Sequence, residues 1–147
     1  MRVVLLTILA ACSSTSYGPP TAQTEIMLSE DGGFAGPANS ESVHLVGTNA
    51  VFALGQSTSS ATVTTDNVAE IIHSLEAIDF LDIHGDFTTC PQPATDASTA
   101  TFHVILEAGT NDVSAYLGCG GGTFDDLDAA RTKIFDLTGF TTWRTGT

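Results

Sequence analysis

Hydrophobic and polar residues alternate along several short stretches of this chain, and a period of two is typical of β-strands with one buried face. The alternation predicts strands at 24–28, 42–46, 50–54, 100–106 and 112–117. The Ser/Thr-rich stretch 56–64 follows the third of these, and its residues 61–63 can extend a strand. Gly47-Thr48-Asn49 and Gly109 separate neighbouring stretches and predict hairpin turns. The pattern therefore predicts an antiparallel sheet.

Two other stretches have apolar residues at intervals of three and four, which indicates amphipathic helices. The first runs from Asp66 to Ile78, with Thr65 as its predicted cap, and the second opens at Thr123 and ends at Gly139. Together these elements predict an α+β two-layer domain over residues 24–147. Its antiparallel sheet is expected to have about four to five strands, with two helices packed on one face.

The start of the chain has the pattern of a secretory signal, with Arg2 followed by an apolar run over residues 3–11. This run is shorter than the roughly 20 apolar residues that span a bilayer. Leu9-Ala10-Ala11-Cys12 resembles the lipobox of bacterial lipoproteins. The resemblance implies removal of residues 1–11, a diacylglyceryl group on Cys12 and acylation of the new amino terminus by a fatty acid such as palmitate. An ordinary cleaved signal followed by a chance cysteine is the alternative.

Residues 12–23 are expected to form a lipidated flexible tether, because Pro19-Pro20 and their polar neighbours offer little apolar surface to bury. The lipid on Cys12 would hold the exported protein to the cell envelope. In a host with two membranes, Ser13 after the cysteine resembles the residue found in outer-membrane lipoproteins. The expected location is therefore the envelope, and the outer membrane if the host is Gram-negative.

The chain is strongly acidic, with 17 Asp+Glu against 4 Lys+Arg and a formal net charge of −13. Such a charge repels phosphate backbones and anionic headgroups, so it disfavours nucleic acid and peripheral lipid binding. The membrane is expected as a partner only through the lipid on Cys12.

Two cysteines remain once Cys12 is assigned to lipid. Cys90 and Cys119 of an exported protein are expected to form a disulfide. A metal site is the alternative, although neither cysteine belongs to a C-x-x-C pair or has a nearby pair of histidines.

The sequence offers no motif for catalysis, so we predict a protein that is not an enzyme and has no cofactor. Gly-x-Ser-x-Gly is absent, and Gly118–Gly122 lacks the Gly-Lys-Ser/Thr ending of a phosphate-binding loop. His84 and Asp86 have no evident third metal ligand, and the acidic run 125–128 lacks EF-hand spacing. The other histidines, at positions 44, 73 and 103, are scattered, and no metal site is predicted.

The segment with the strongest claim to function is a glycine-rich loop after the first strand. It contains Gly32, Gly33, Phe34, Ala35 and Gly36. Glycines permit left-handed backbone conformations, and an exposed phenylalanine on a shaped loop is a common interface anchor. The alternative is a turn whose Phe34 packs back on the core.

A series of segments follows in this order along the chain: Ile26-Met27-Leu28, the GGFAG loop, the helix through Leu75–Phe80, and then Asp96 and Phe102 leading into a hairpin. This series resembles proteins of the emfourin family. These are small bacterial inhibitors of thermolysin-like metallopeptidases such as protealysin, and the resemblance spans roughly residues 24–117. It implies inhibition by occlusion, with the loop filling the cleft of an exported metallopeptidase. The alternative function is a non-inhibitory envelope module that binds another protein or a glycan.

Overall fold

The computed structural model describes residues 16–33 and 40–146. Cys12 and the loop residues Phe34, Ala35 and Gly36 lie outside this part of the chain. Within it there are six strands, three α-helices and one 3-10 turn. The strands are β1 (Glu25–Gly32), β2 (Glu41–Val46), β3 (Asn49–Leu54), β4 (Ser57–Thr62), β5 (Ser98–Leu106) and β6 (Gly109–Tyr116), and the helices are α1 (Thr65–Glu76), α2 (Thr123–Thr138) and α3 (Phe140–Gly146), with the 3-10 turn at Phe80–Asp82.

All six strands described belong to one antiparallel sheet with the order β4-β3-β2-β1-β5-β6. The first strand lies inside the sheet, where Ile26 pairs with Leu45 of β2 and with Val104 of β5. On one side of β1 the chain continues as the meander β2-β3-β4, and on the other it returns through α1 as the β5-β6 hairpin. The predicted α+β class and antiparallel sheet are confirmed.

One face of the sheet carries the core, as the alternation predicts. The twelve sheet residues of this face are at most 6% exposed, and they are Ile26, Leu28, Val43, Leu45, Ala50, Phe52, Ala100, Phe102, Val104, Leu106, Val113 and Ala115. Phe102 contacts Phe80 of the 3-10 turn, and Phe52 contacts Phe140 of α3, with ring centroids 5.7 and 5.8 Å apart. Aromatic contacts of this kind add to the free energy gained by burial.

The first helix confirms its predicted periodicity. Its buried residues are Val68, Ile71, Ile72 and Leu75. Thr64, one residue before the predicted cap, accepts a hydrogen bond from the Asn67 N–H through its side chain, at 3.2 Å. The second helix spans Thr123–Thr138 and ends at Gly139, whose φ of 86° is the left-handed conformation that favours glycine there.

The sheet and the helices are more extensive than predicted. β4 is a largely exposed edge strand of serine, threonine and alanine, so it lacks the apolar alternation that marks a half-buried strand. β1 continues past its predicted end at residue 28 to Gly32, because β5 pairs with it as far as Ser98. Helix α3 follows Gly139 directly and is held by the fully buried Phe140. The structure therefore has six strands and three helices over the described residues, against the four to five strands and two helices expected.

The packed structure also includes part of the predicted tether. Tyr17 is 4% exposed and belongs to the hydrophobic core, and its hydroxyl accepts a hydrogen bond from the Leu81 N–H at 2.8 Å. Polar composition alone indicated a tether for this segment, and the single aromatic ring supplies the apolar area that docks it.

Replacing Tyr17 with phenylalanine is expected to reduce the free energy of unfolding by about 1 kcal/mol, because the partly buried Leu81 N–H loses its acceptor. The pKa of Tyr17 is raised above its ordinary value of 10.0, and burial of the ring is the largest cause. The unfolded chain therefore loses this proton at lower pH than the folded protein, so the stabilisation is complete below about pH 10 and declines as the pH rises further. Urea unfolding at a series of alkaline pH values checks this, since the decline should be smaller in Tyr17→Phe, and equal declines would contradict it.

Candidate functional site

The stem of the loop between β1 and β2 contains two acidic side chains that lie opposite each other and are largely buried. Glu30 near the end of β1 and Glu41 at the start of β2 are direct cross-strand partners. Their side chains are only 11% and 15% exposed. Two like charges directly opposite each other are destabilising, so this pair requires compensation.

Each glutamate is paired with an arginine from a different helix. Arg131 of α2 donates from Nη1 to Glu30 Oε2 at 2.8 Å and from Nε to Asp128 Oδ1 at 2.9 Å. Arg144 of α3 donates from Nη1 to both carboxylate oxygens of Glu41, at 3.0 and 2.8 Å. We call the pairs Glu30–Arg131 and Glu41–Arg144 the arginine clamp, because they tie both strands of the loop stem to the C-terminal helices.

The two halves of the clamp differ in their surroundings. The Arg131 side chain is 21% exposed and the Arg144 side chain 37%. Burial acts to lower the pKa of Arg131, but the charges of Glu30 and Asp128 outweigh it and raise that pKa above its ordinary value. The Glu30–Arg131 pair is therefore the more buried half, and Arg131 remains charged throughout the physiological pH range.

The loop leaves β1 through two glycines in left-handed conformations, with φ of 93° at Gly32 and 75° at Gly33. A Cβ atom at Gly33 would lie 3.1 Å from the Asp96 carbonyl oxygen, whereas a Cβ at Gly32 would meet open space. Asp96 itself has a φ of 63°, which is uncommon for a residue with a side chain. Close approach between two loops thus explains why glycine occupies position 33.

The segment carrying Asp96 is held in place by the predicted cysteine pair. Cys90 and Cys119 lie at disulfide distance, with their Cα atoms 5.9 Å apart. Nearby, the Ala94 N–H donates to the Gly118 carbonyl at 2.7 Å, and the Tyr116 hydroxyl donates to the Ala94 carbonyl at 2.8 Å. This end of the sheet therefore brings together the glycine loop stem and the segment tied by Cys90 and Cys119.

The predicted metal candidates do not converge. Across residues 16–33 and 40–146, no group of three His, Cys, Asp or Glu side chains is arranged to hold a metal ion. Asp86 instead accepts hydrogen bonds from the backbone and side chain of Thr88, which lower its pKa. Asp125 accepts from the Gly121 N–H at 2.9 Å, consistent with an acidic residue at a helix start.

The arginine clamp is the part of this site that sequence reasoning missed. Its members are separated by about a hundred positions, so no local spacing relates them. The sequence does contain one signal for the clamp, because positively charged residues are scarce. Residues 24–147 contain only Arg131, Lys133 and Arg144. All three bind acidic partners, with Lys133 paired to Glu70.

None of the helices among the described residues is long and apolar enough to cross a membrane. Comparison with known proteins gives no further guide, since no model of a protein family matches this chain and no curated protein matches it either.

Proposed function

We propose that this chain is an exported, lipid-anchored binding domain that inhibits a thermolysin-like metallopeptidase by placing its glycine loop in the protease cleft. The observation that carries the proposal is the arginine clamp, which holds both strands of the loop stem. The location is proposed from the signal and lipobox ending at Cys12.

A loop that occludes a cleft binds best when its bound conformation is already formed, because less conformational entropy is lost on binding. The stem has the features that such a loop needs. Glu30 accepts from the Ser98 hydroxyl and from Arg131, and Gly33 lies against the Asp96 carbonyl. These contacts fix the direction in which the chain leaves β1 and approaches residue 34.

Charge gives the proposal a second line of support. Since each cation of residues 24–147 binds an acidic side chain, the uncompensated charge of this domain is negative. A negative surface accelerates association with a partner whose rim is cationic and disfavours anionic partners. We therefore propose a metallopeptidase whose cleft is bordered by basic residues.

The test is inhibition of several thermolysin-like enzymes by the full chain in detergent, followed by titration of variants. The wild-type chain is expected to inhibit at least one enzyme at micromolar concentration or below. Phe34→Ala is expected to weaken inhibition by about 30-fold, the effect of losing a central anchor. Absence of inhibition by the wild-type chain across the set would contradict the proposal.

Two glycine variants separate loop direction from backbone strain. Gly32 and Gly33 both have positive φ, but only a side chain at position 33 meets the Asp96 carbonyl. Gly33→Ala is therefore expected to weaken inhibition more than Gly32→Ala. Equal inhibition by the two variants would show that the approach to Asp96 is irrelevant to binding.

A second candidate function rests on a different surface. The sheet face opposite the core exposes three large apolar side chains, Met27, Val46 and Val51, within the described part of the chain. Exposed apolar side chains grouped on one face are typical of binding surfaces. A non-inhibitory envelope module would bind its protein or glycan here, and Val51→Glu would then abolish capture while Phe34→Ala would not.

A further inference from the structure

Three residues that are distant in sequence form a row across the open face of the sheet. Met27 of β1 pairs directly with His44 of β2 on one side and with His103 of β5 on the other. Directly paired side chains in a sheet project to the same face. This is the solvent-facing side, because the neighbours Ile26 and Leu28 of Met27 are fully buried on the other.

Each histidine of the row has one ring nitrogen bound to a carboxylate. His44 Nε2 lies 2.9 Å from Glu25 Oε1, and His103 Nδ1 is hydrogen-bonded to Asp112 Oδ1. The other nitrogens, His44 Nδ1 and His103 Nε2, have no hydrogen bond to the described residues. A carboxylate on one nitrogen and a free second nitrogen is the usual arrangement of metal-binding histidines, because the carboxylate fixes the tautomer and raises the basicity of the ligand.

The strand spacing allows the three side chains of the row to bind the same ion or molecule. Neighbouring strands lie about 4.8 Å apart, so the backbones at His44 and His103 are separated by roughly 10 Å with Met27 between them. Met27 is 38% exposed, so this residue is accessible from solvent. Imidazole side chains can therefore approach the thioether from both sides.

We propose that Met27, His44 and His103 form a binding site for Cu(I). Thioether sulfur is a soft ligand that selects Cu(I) over harder divalent cations, and imidazole suits copper as well. Binding requires the two rings to turn toward Met27 while Glu25 and Asp112 keep their hydrogen bonds to the other ring nitrogens.

The experiment uses the full chain in detergent, without a histidine tag and with Cys90 and Cys119 oxidised. Ag(I), a redox-inert probe for Cu(I), is titrated while the methionine methyl groups are followed by NMR. The chain contains two methionines, and Met27→Leu assigns the Met27 signal by its disappearance. Cu(I) affinity is then measured by competition with a chromogenic Cu(I) chelator.

Stoichiometric binding is expected, with a shift of the Met27 methyl signal and at least about a tenfold loss of affinity in Met27→Leu, His44→Gln and His103→Gln. Glu25→Gln and Asp112→Asn are expected to weaken binding by about tenfold, because the carboxylates fix the tautomer and direction of the two imidazoles. His73→Gln is the matched control, since His73 lies on α1 and is expected to leave affinity unchanged.

Two results would overturn the site. One is no binding of Ag(I) or Cu(I) at micromolar concentrations by a wild-type chain shown to be folded by circular dichroism. The other is binding that leaves the Met27 signal in place and is unaffected by Met27→Leu, because the metal would then be bound elsewhere. Leucine has nearly the volume of methionine and the position is partly exposed, so this variant is expected to fold.

Discussion

Replacing Arg131 with methionine is expected to lower the free energy of unfolding by about 3 kcal/mol, because Glu30 is then left in a largely buried position without its main partner. For a domain of this size the midpoint of thermal unfolding should fall by about 10 °C. Methionine retains much of the apolar contact that the arginine stem makes, so the change tests the charge of the pair more than its volume.

Two further variants make this prediction specific. Arg144→Met is the matched control, and it is expected to cost about 1 kcal/mol because this half of the clamp is more exposed. Adding Glu30→Gln to Arg131→Met removes the unpaired buried charge, so the double variant should be more stable than Arg131→Met alone. Urea unfolding of the four proteins checks both expectations. A double variant less stable than Arg131→Met would show that packing, and not charge compensation, explains the loss.

Loss of the Cys90–Cys119 link is expected to have an effect of similar size. The two cysteines are 29 positions apart, and closing a loop of this length stabilises a folded domain by about 3 to 4 kcal/mol in the chain-entropy account. The unlinked chain should therefore unfold about 10 to 15 °C lower. Thermal melts of Cys90→Ser/Cys119→Ser, compared with wild type before and after reduction, measure the difference.

The melts include their own controls. Reduction should lower the midpoint of the wild-type chain to that of the double variant and leave the double variant unchanged. Thiol titration of the unfolded wild-type chain before reduction should find neither Cys90 nor Cys119 free. Equal midpoints for all samples would indicate that the link does not contribute to stability.

The parts of the fold that could be predicted are those in which one local period identifies an element. Val68, Ile71, Ile72 and Leu75 recur at helical spacing, and all four are buried on α1. Likewise, Ala100, Phe102, Val104 and Leu106 alternate and share the buried face of β5. In both elements, burial of one face against the core is strong enough to determine the pattern.

The elements that were missed have weak or misleading local patterns. β4 has almost no buried residue, so its position depends on backbone pairing with β3. Tyr17 lies among prolines and small polar residues, and only the assembled core provides the surface that buries its ring. The arginine clamp depends on pairs that meet only after the sheet and the C-terminal helices have formed.

Within the loop stem of the candidate site, only the glycines could be predicted, because only they have a local signal in the sequence. Gly32 and Gly33 were recognisable because positive φ restricts the choice of residue locally. The approach of Gly33 to Asp96, and the row of Met27, His44 and His103, depend on strand register. Register between β1 and β5 joins distant parts of the chain, and a single sequence does not specify it.

The position of β1 inside the sheet has a consequence for the order of folding. β1 is synthesised before the other described strands, and one of its two partners, β5, comes after the meander, α1 and the long connection. Sheets that need such distant pairings fold slowly, because the entropy of closing the intervening loop is lost before the contacts form. A nascent chain ending before β5 would leave one edge of β1 unpaired. The sheet can therefore reach its final strand order only after β5 and β6 have been synthesised.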